Sequence, residues 1–71
     1  MSNLKTIREN KKLSQSALAN ESGIKVRTIQ DYEQGSRDIN KAQAITLYEL
    51  AKALDCTIEE LLEIEGGFNE E

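Results

Sequence analysis

The stretch from residue 14 to residue 35, SQSALANESGIKVRTIQDYEQG, constrains the fold more than any other part of the chain. Ser14 is a residue type that caps the N-terminus of a helix, because its hydroxyl accepts a hydrogen bond from a free backbone N–H. Gly23 is the type that ends a helix, because glycine adopts left-handed backbone without steric cost. The stretch therefore predicts two short helices joined by a tight turn, over residues 15–21 and 25–34.

The rest of the chain predicts three supporting helices. Apolar residues recur at helical spacing, and no stretch alternates in the way that a half-buried strand does. Thr57 and Glu60 match a capping box at the start of the last helix, and Asn40 or a neighbour is expected to cap the helix before it. The three helices are predicted over residues 3–11, 41–54 and 57–64. The sequence thus predicts an all-α domain of five short helices.

The predicted core is small. The second of the two central helices turns Ile29 and Tyr32 inward, and the fourth helix has a stripe of leucine and alanine. The core positions are Leu18, Ala19, Ile29, Tyr32, Leu47, Leu50, Ala51 and Leu54. With 71 residues, the chain is long enough for one small domain. We assign the domain to residues 1–65 and interpret residues 66–71 as a disordered acidic tail.

The composition argues against several classes of function. The chain has no histidine, which is the commonest general base and metal ligand, and a single cysteine, Cys56. It also has no glycine-rich phosphate loop and no pair of cysteines for a metal. We therefore expect no enzyme activity, no metal, no cofactor and no small-molecule ligand. No segment is apolar enough for a membrane span or a signal peptide, so a cytoplasmic protein is expected. Cys56 is interpreted as a small buried residue between the fourth and fifth helices.

Charge is distributed unevenly along the chain. The net charge of -4 would by itself argue against nucleic acid. Up to Tyr48, however, eight basic residues face five acidic ones, whereas from Glu49 onward eight acidic residues face Lys52 alone. Such asymmetry is typical of a protein with a nucleic-acid face beside an acidic flank.

Three segments together resemble the helix-turn-helix family of lambda-type phage repressors and Cro proteins, also called the Xre type. They are LKTIRENKKLSQSALANESGI, VRTIQDYEQGSRDIN and LYELAKALDCTIEELLE. The combination LSQ, LA, G, I and YE-x-G, followed by LAKAL and ELL, carries the resemblance. It covers about residues 4–63 and implies a five-helix domain in which helices 2 and 3 form the helix-turn-helix and helix 3 enters the major groove.

The resemblance implies a role for several groups of residues. Base edges would be contacted by Lys25, Val26, Arg27, Gln30 and Asp31, which lie on or beside the outer face of helix 3. The DNA backbone would be contacted by Ser14, Gln15, Gln34, Ser36 and Arg37. Arg8 and Glu33 would form a structural ion pair between helices 1 and 3. Ile58, Glu59 and Glu60 would meet the partner in a homodimer.

Elementary chemistry leaves alternatives open at three of these positions. Arg27 could hold guanine O6 and N7 with its fork, or it could pair with Asp31 one helical turn away. Asp31 could accept a hydrogen bond from cytosine N4, or it could orient Arg27. Val26 could pack on a thymine methyl or fill the edge of the core beside Ile29. Lys25 cannot cap helix 3 through a side-chain oxygen, but it supplies a cation near phosphate.

Two functions remain open on the sequence. The first is a sequence-specific transcriptional regulator that binds double-stranded DNA as a homodimer on a two-fold operator. The second is a protein-interaction module, such as an antitoxin or accessory factor, with weak or secondary DNA binding. A helical domain without a nucleic-acid role is the plain alternative to both.

Overall fold

The protein folds into five α-helices and one short 3-10 turn in a computed structural model that describes residues 2–64. The helices are α1 (Asn3–Asn10), α2 (Gln15–Ser22), α3 (Val26–Gln34), α4 (Ala44–Leu54) and α5 (Ile58–Leu61), with the 3-10 turn η1 (Ile39–Lys41) before α4. No strand occurs within residues 2–64, so the all-α prediction is confirmed. No helix in this part of the chain has the length and hydropathy that a bilayer crossing requires.

Helix α2 starts at its predicted cap, and both central helices stop at the predicted glycines. The Ser14 hydroxyl accepts a hydrogen bond from the Ala17 N–H at 3.0 Å, which satisfies a free donor at the start of α2. Gly23 ends α2 at φ +76° and Gly35 ends α3 at φ +87°. A residue with a Cβ is strained at these angles, so glycine is favoured at the C-terminal end of both helices.

The core lies where α2 packs against α3 and α4, while α1 packs against α3 and α5. All the residues that the sequence placed in the core are buried except Ala19, which is half-buried and packs against the core. The structure adds Leu4 from α1, Ile39 from η1 and Leu61 from α5. Helices α1 and α5 and the turn η1 therefore each reach the core through one large apolar side chain, whereas α4 buries four residues there.

The predicted start of helix 4 at Lys41 is wrong. The chain instead forms η1, where the Asp38 carboxylate caps the turn by accepting a hydrogen bond from the Asn40 N–H at 2.9 Å. Ala42 and Gln43 then adopt extended backbone, and α4 begins at Ala44. Burial of Ile39 in the core favours this turn over a helix that starts at Lys41.

Asn40 does not cap helix 4, and helix 5 does not reach Ile64. The side chain of Asn40 accepts from the Glu63 N–H at 2.8 Å and donates to the Glu63 carbonyl at 3.1 Å. This pair of bonds holds the chain extended after Leu61, where α5 ends. The capping box at the start of α5 is confirmed, with Thr57 and Glu60 bonded to each other's backbone N–H. The predicted tail, residues 66–71, lies outside the described residues.

Candidate nucleic-acid interface

The outer face of α3 is polar and largely accessible. Arg27, Gln30, Asp31 and Gln34 follow one another at helical spacing; Arg27 and Gln34 are exposed, and Gln30 and Asp31 are half-buried. Lys25 precedes the helix and forms no side-chain cap, so the first backbone N–H groups of α3 have no side-chain acceptor from that residue. Val26 is 38% exposed, which places an apolar surface at the start of the same helix.

A chain of polar side chains connects the interior to this face. Arg8 Nε and Nη2 donate to the two carboxylate oxygens of Glu33 at 2.7 and 3.0 Å, and Arg8 Nη1 donates to the Leu13 carbonyl at 2.7 Å. Gln15 Nε2 donates to Glu33 Oε1 at 2.9 Å, and Gln30 Nε2 donates to Gln15 Oε1 at 3.4 Å. Gln15 and Gln30, which the resemblance places at DNA, are thus held from α1 through one buried carboxylate.

The Arg8–Glu33 pair is largely removed from solvent. The side chains are 10% and 3% exposed, respectively. Hydrogen bonding to Glu33 raises the pKa of Arg8 above its ordinary value, in spite of burial, which acts in the opposite direction. The guanidinium therefore stays charged, and the pair tightly fixes α3 against α1.

Two arginines approach the carboxylate of Asp31, one that precedes it in the sequence and one that follows it. Arg27 Nε donates to Asp31 Oδ1 at 3.3 Å, and Arg37 Nη2 lies 3.7 Å from Asp31 Oδ2. The Ser36 hydroxyl also donates to Asp31 Oδ1, at 3.3 Å. The sequence-predicted residues Arg27, Asp31, Ser36 and Arg37 therefore form one cluster, which we call the Asp31 cluster.

The N-terminus of α2 lines a depression beside α3. Ser14, Gln15 and Gln34, all predicted to contact the DNA backbone, line it together with Lys5 of α1. Sequence reasoning did not include Lys5 in the site. Lys5 reaches the depression because α1 packs across α3, and this packing is not visible in the spacing of the residues.

A second, more basic groove lies between the N-terminal ends of α3 and α4. Lys25, Thr28, Arg37 and Lys41 line it, with Asp38 as its one acidic lining residue. Sequence reasoning missed Lys41 as a site residue because it placed this lysine inside helix 4. The available signal was the spacing of Arg37 and Lys41, four residues apart in a polar loop.

The two recessed regions lie on either side of the outer face of α3. Thr28 lines the basic groove and Glu33 lines the depression beside α2. At 3.6 residues per turn, these two positions lie about 110° from the middle of the outer face, in opposite directions around the helix. An elongated ligand lying along the outer face would therefore have Lys5 on one side and Lys25 and Lys41 on the other.

The α5 residues predicted for a dimer differ in exposure. Ile58 is half-buried and packs against the core, whereas Glu59 and Glu60 are exposed. Larger apolar exposure occurs on α4, where Ile45 is 59% and Tyr48 50% exposed. Helix 5 therefore offers mainly charge, and α4 offers apolar surface.

The remaining reactive group is Cys56, in the turn between α4 and α5. It is half-buried and packs against the core, and burial raises the pKa of its thiol, with a further contribution from the charge of Glu60. A raised pKa lowers the thiolate fraction and makes the thiol less reactive. Among the residues that the structure describes, no group of His, Cys, Asp and Glu is arranged to hold a metal ion.

Comparison with known families gives a match that spans the fold. A family model described as "Helix-turn-helix" matches residues 4–61, from α1 to the end of α5. The match covers most of the chain and includes both recessed regions. A search of curated proteins found no match.

Proposed function

Since the chain belongs to the helix-turn-helix family of Xre and lambda-repressor-like proteins, which are DNA-binding domains and not enzymes, we propose that it is a sequence-specific transcriptional regulator. It binds double-stranded DNA by laying the outer face of α3 in the major groove. Base contacts come from Lys25, Val26, Arg27 and Gln30, with Asp31 on the same face.

The observation that carries this proposal is the pair of lysine-bearing recesses beside the α3 outer face. The major groove is bordered by two phosphate backbones, and a protein that reads it needs donors and cations on both sides of the reading helix. Lys5 lies in one recess, and Lys25, Arg37 and Lys41 line the other. The net negative charge of the chain does not oppose this arrangement, because the local charge near the helix governs phosphate contact.

Contacts with the DNA backbone are assigned to residues in and beside these recesses. Ser14, Gln15, Gln34, Ser36 and Arg37 are joined by the two lysines that the fold brings in, Lys5 and Lys41. Gln15 has two roles, because the side-chain amide that faces the depression is also hydrogen-bonded to Glu33 and Gln30. Gln15 therefore fixes the position of α3 relative to the DNA backbone.

A selection from randomised duplexes followed by anisotropy titration tests the proposal. We expect one preferred sequence, bound more tightly than random DNA, with log K falling against log salt at a slope of about -3 or steeper. Arg27→Ala is expected to relax one base position, at about 1–3 kcal/mol of discrimination. Lys41→Ala is expected to weaken all sequences alike and to make the slope shallower by about one.

The matched control for Lys41→Ala is Lys52→Ala, because Lys52 is an exposed lysine on α4 whose Nζ lies over the Tyr48 ring at 5.8 Å. It lines neither recess and should leave DNA affinity unchanged. Equal binding of all duplexes, or a slope near zero, would contradict the proposed function.

We further propose that the regulator binds as a homodimer on a two-fold operator, with half-sites about 34 Å apart. Ile58, Glu59 and Glu60 of α5 are the proposed contact. Support comes from the exposure of Glu59 and Glu60 on the short helix that follows α4. Footprinting of the selected duplex should show two protected half-sites about one helical turn apart.

A further inference from the structure

The carboxylate of Asp31 is surrounded by donors although it lies on the proposed reading face. Its side chain is 19% exposed, and it is approached by Arg27, Ser36 and Arg37. The Asp31 backbone carbonyl accepts hydrogen bonds from the N–H groups of Gly35 and Arg37 as well. One residue therefore organises the outer face of α3 and the loop that follows it.

We propose, on the basis of the proposed DNA-binding function, that Asp31 is a positioning residue that sets base preference by aiming Arg27. It does not contact a base. It also holds Arg37 beside the helix, where that arginine lines the basic groove.

Arg27 and Asp31 differ in the exposure of their side chains. The side chain of Arg27 is 81% exposed, while that of Asp31 is 19% exposed. The short carboxylate accepts from Arg27 and Ser36 at Oδ1, and Arg37 Nη2 lies 3.7 Å from Oδ2, so cations or donors of this chain face both oxygens. The long side chain of Arg27 extends beyond it, so Arg27 is the group that reaches a base edge.

The geometry of the hydrogen bond fits this division of roles. A guanidinium has five N–H donors in a rigid plane, and Arg27 uses the one at Nε for Asp31. The four N–H donors of the two terminal nitrogens remain for guanine O6 and N7, which need two. Fixing Nε holds the plane of the fork before DNA arrives, so less side-chain freedom is lost on binding.

Charge is balanced within the same cluster. A lone carboxylate near phosphate would repel it, but Asp31 lies within 3.7 Å of two arginine nitrogens. Together the three side chains carry one net positive charge, so the cluster attracts phosphate although it contains an acid. Asp31 therefore gives direction to Arg27 without making the face negative.

The test compares the base preferences of wild type, Asp31→Asn, Arg27→Ala and the double variant by selection from randomised duplexes and titration. Glu21→Gln is the matched control: Glu21 is an exposed acid on α2, and within residues 2–64 it makes no ion pair. Asparagine keeps the shape of Asp31 and removes its charge, and circular dichroism checks that each variant is folded. In the free protein, NMR measures how well the Arg27 Nε–H is protected from exchange with water.

We expect Asp31→Asn and Arg27→Ala to relax the same base position, each by about threefold or more. The double variant should lose no more than Arg27→Ala alone, because the two residues act as one unit. The Arg27 Nε–H should lose protection in Asp31→Asn and keep it in Glu21→Gln.

Three results would overturn the inference while leaving the proposed function intact. Asp31→Asn could relax a different base position from Arg27→Ala, which would make Asp31 a base contact. It could raise the affinity for every DNA sequence by the same factor as Glu21→Gln, which would mean that Asp31 acts only through its negative charge. The Arg27 Nε–H could keep its protection in Asp31→Asn. A wild type with no preferred sequence would overturn the proposed function, and this inference with it.

Discussion

At the residue scale, the most buried ion pair within residues 2–64 is the bidentate contact between Arg8 and Glu33. Both charges are removed from water, so their desolvation is offset only by close contact and by further hydrogen bonds. The contact has two parallel N–H donors to one carboxylate, and the Leu13 carbonyl and Gln15 satisfy the remaining groups. Because every member has a partner, the pair orients α3 as well as joining it to α1.

Arg8→Ala is expected to lower the free energy of unfolding by about 3–5 kcal/mol, because it leaves the Glu33 carboxylate buried without a cation. Urea unfolding followed by circular dichroism measures the loss. Arg27→Ala is the matched control, since the exposed pair that it breaks is worth about 0.5 kcal/mol or less. Similar losses in the two variants would contradict the special role of the buried pair.

Cys56 gives a prediction about pH. Because burial raises its pKa in the folded state, ionisation of the thiol favours the unfolded chain. The stabilisation from the neutral thiol is fully present below the unfolded-state pKa of about 8.5 and is lost as the pH rises through the folded-state pKa. Urea unfolding at pH 7 and pH 10 should show a larger fall in stability for wild type than for Cys56→Ala. An equal fall in both proteins would contradict the assignment.

At the scale of elements, capping explains several helix boundaries. Ser2, Ser14 and Thr57 each accept a backbone hydrogen bond at the start of a helix, and glycine in left-handed backbone ends both α2 and α3. These signals are local, because each involves residues within four positions of one another. The starts of α3 and α4 have no side-chain cap, and the start of α4 is the one that sequence reasoning misplaced.

The turn between α2 and α3 depends on Gly23. A Cβ at this position would meet no atom within 4 Å, so a substitution suffers from backbone strain and not from a clash. Gly23→Ala is expected to cost about 1–2 kcal/mol, which lowers the Tm of a domain of this size by about 4–8 °C per kcal/mol. Gly23→Asn should cost less, because asparagine tolerates left-handed backbone. Thermal unfolding measures both, and equal Tm values for the two variants would argue against strain as the cause.

At the scale of the whole molecule, basic residues are concentrated in the first part of the sequence and acidic residues in the last part, and the fold places the two groups on different surfaces. The cations that line the recesses beside α3 come from α1, from the residue before α3 and from the segment between α3 and α4. The acids of α5 lie on a helix that lines neither recess. The folded domain therefore keeps a locally basic surface beside α3 within a chain of net charge -4.

The proposed dimer gives a prediction at this scale. In a two-fold contact, both copies bring Glu59 to the same interface, so removal of this charge is expected to strengthen association. Glu59→Gln should therefore raise the association constant measured by sedimentation at low salt. Glu60 is unsuitable for this test, because its carboxylate accepts the Thr57 N–H in the capping box at 2.8 Å.

The control for the dimer is Tyr48→Ala, which removes exposed apolar surface from α4. It should leave self-association unchanged if the contact lies on α5. Loss of association in Tyr48→Ala with no effect of Glu59→Gln would show that the interface lies on α4. A protein that is monomeric both free and on DNA would contradict the proposed dimer.

The sequence by itself determined the helical class, the helix-turn-helix, its caps and its main core positions. These follow from local rules: the spacing of Ile29 and Tyr32, the hydroxyl of Ser14 and the backbone freedom of Gly23 each act within a few residues. It also indicated the outer face of α3, because one helical stripe is polar where its opposite is apolar.

Only the tertiary structure decided how distant side chains meet. The packing of α1 across α3 brings Lys5 to the depression beside α2, and burial of Ile39 breaks the helix that would otherwise start at Lys41. The Asp31 cluster likewise needs the loop after Gly35 to fold back so that Arg37 approaches α3. Such contacts depend on how buried area is shared among all the helices, a property of the packed chain that no local pattern contains.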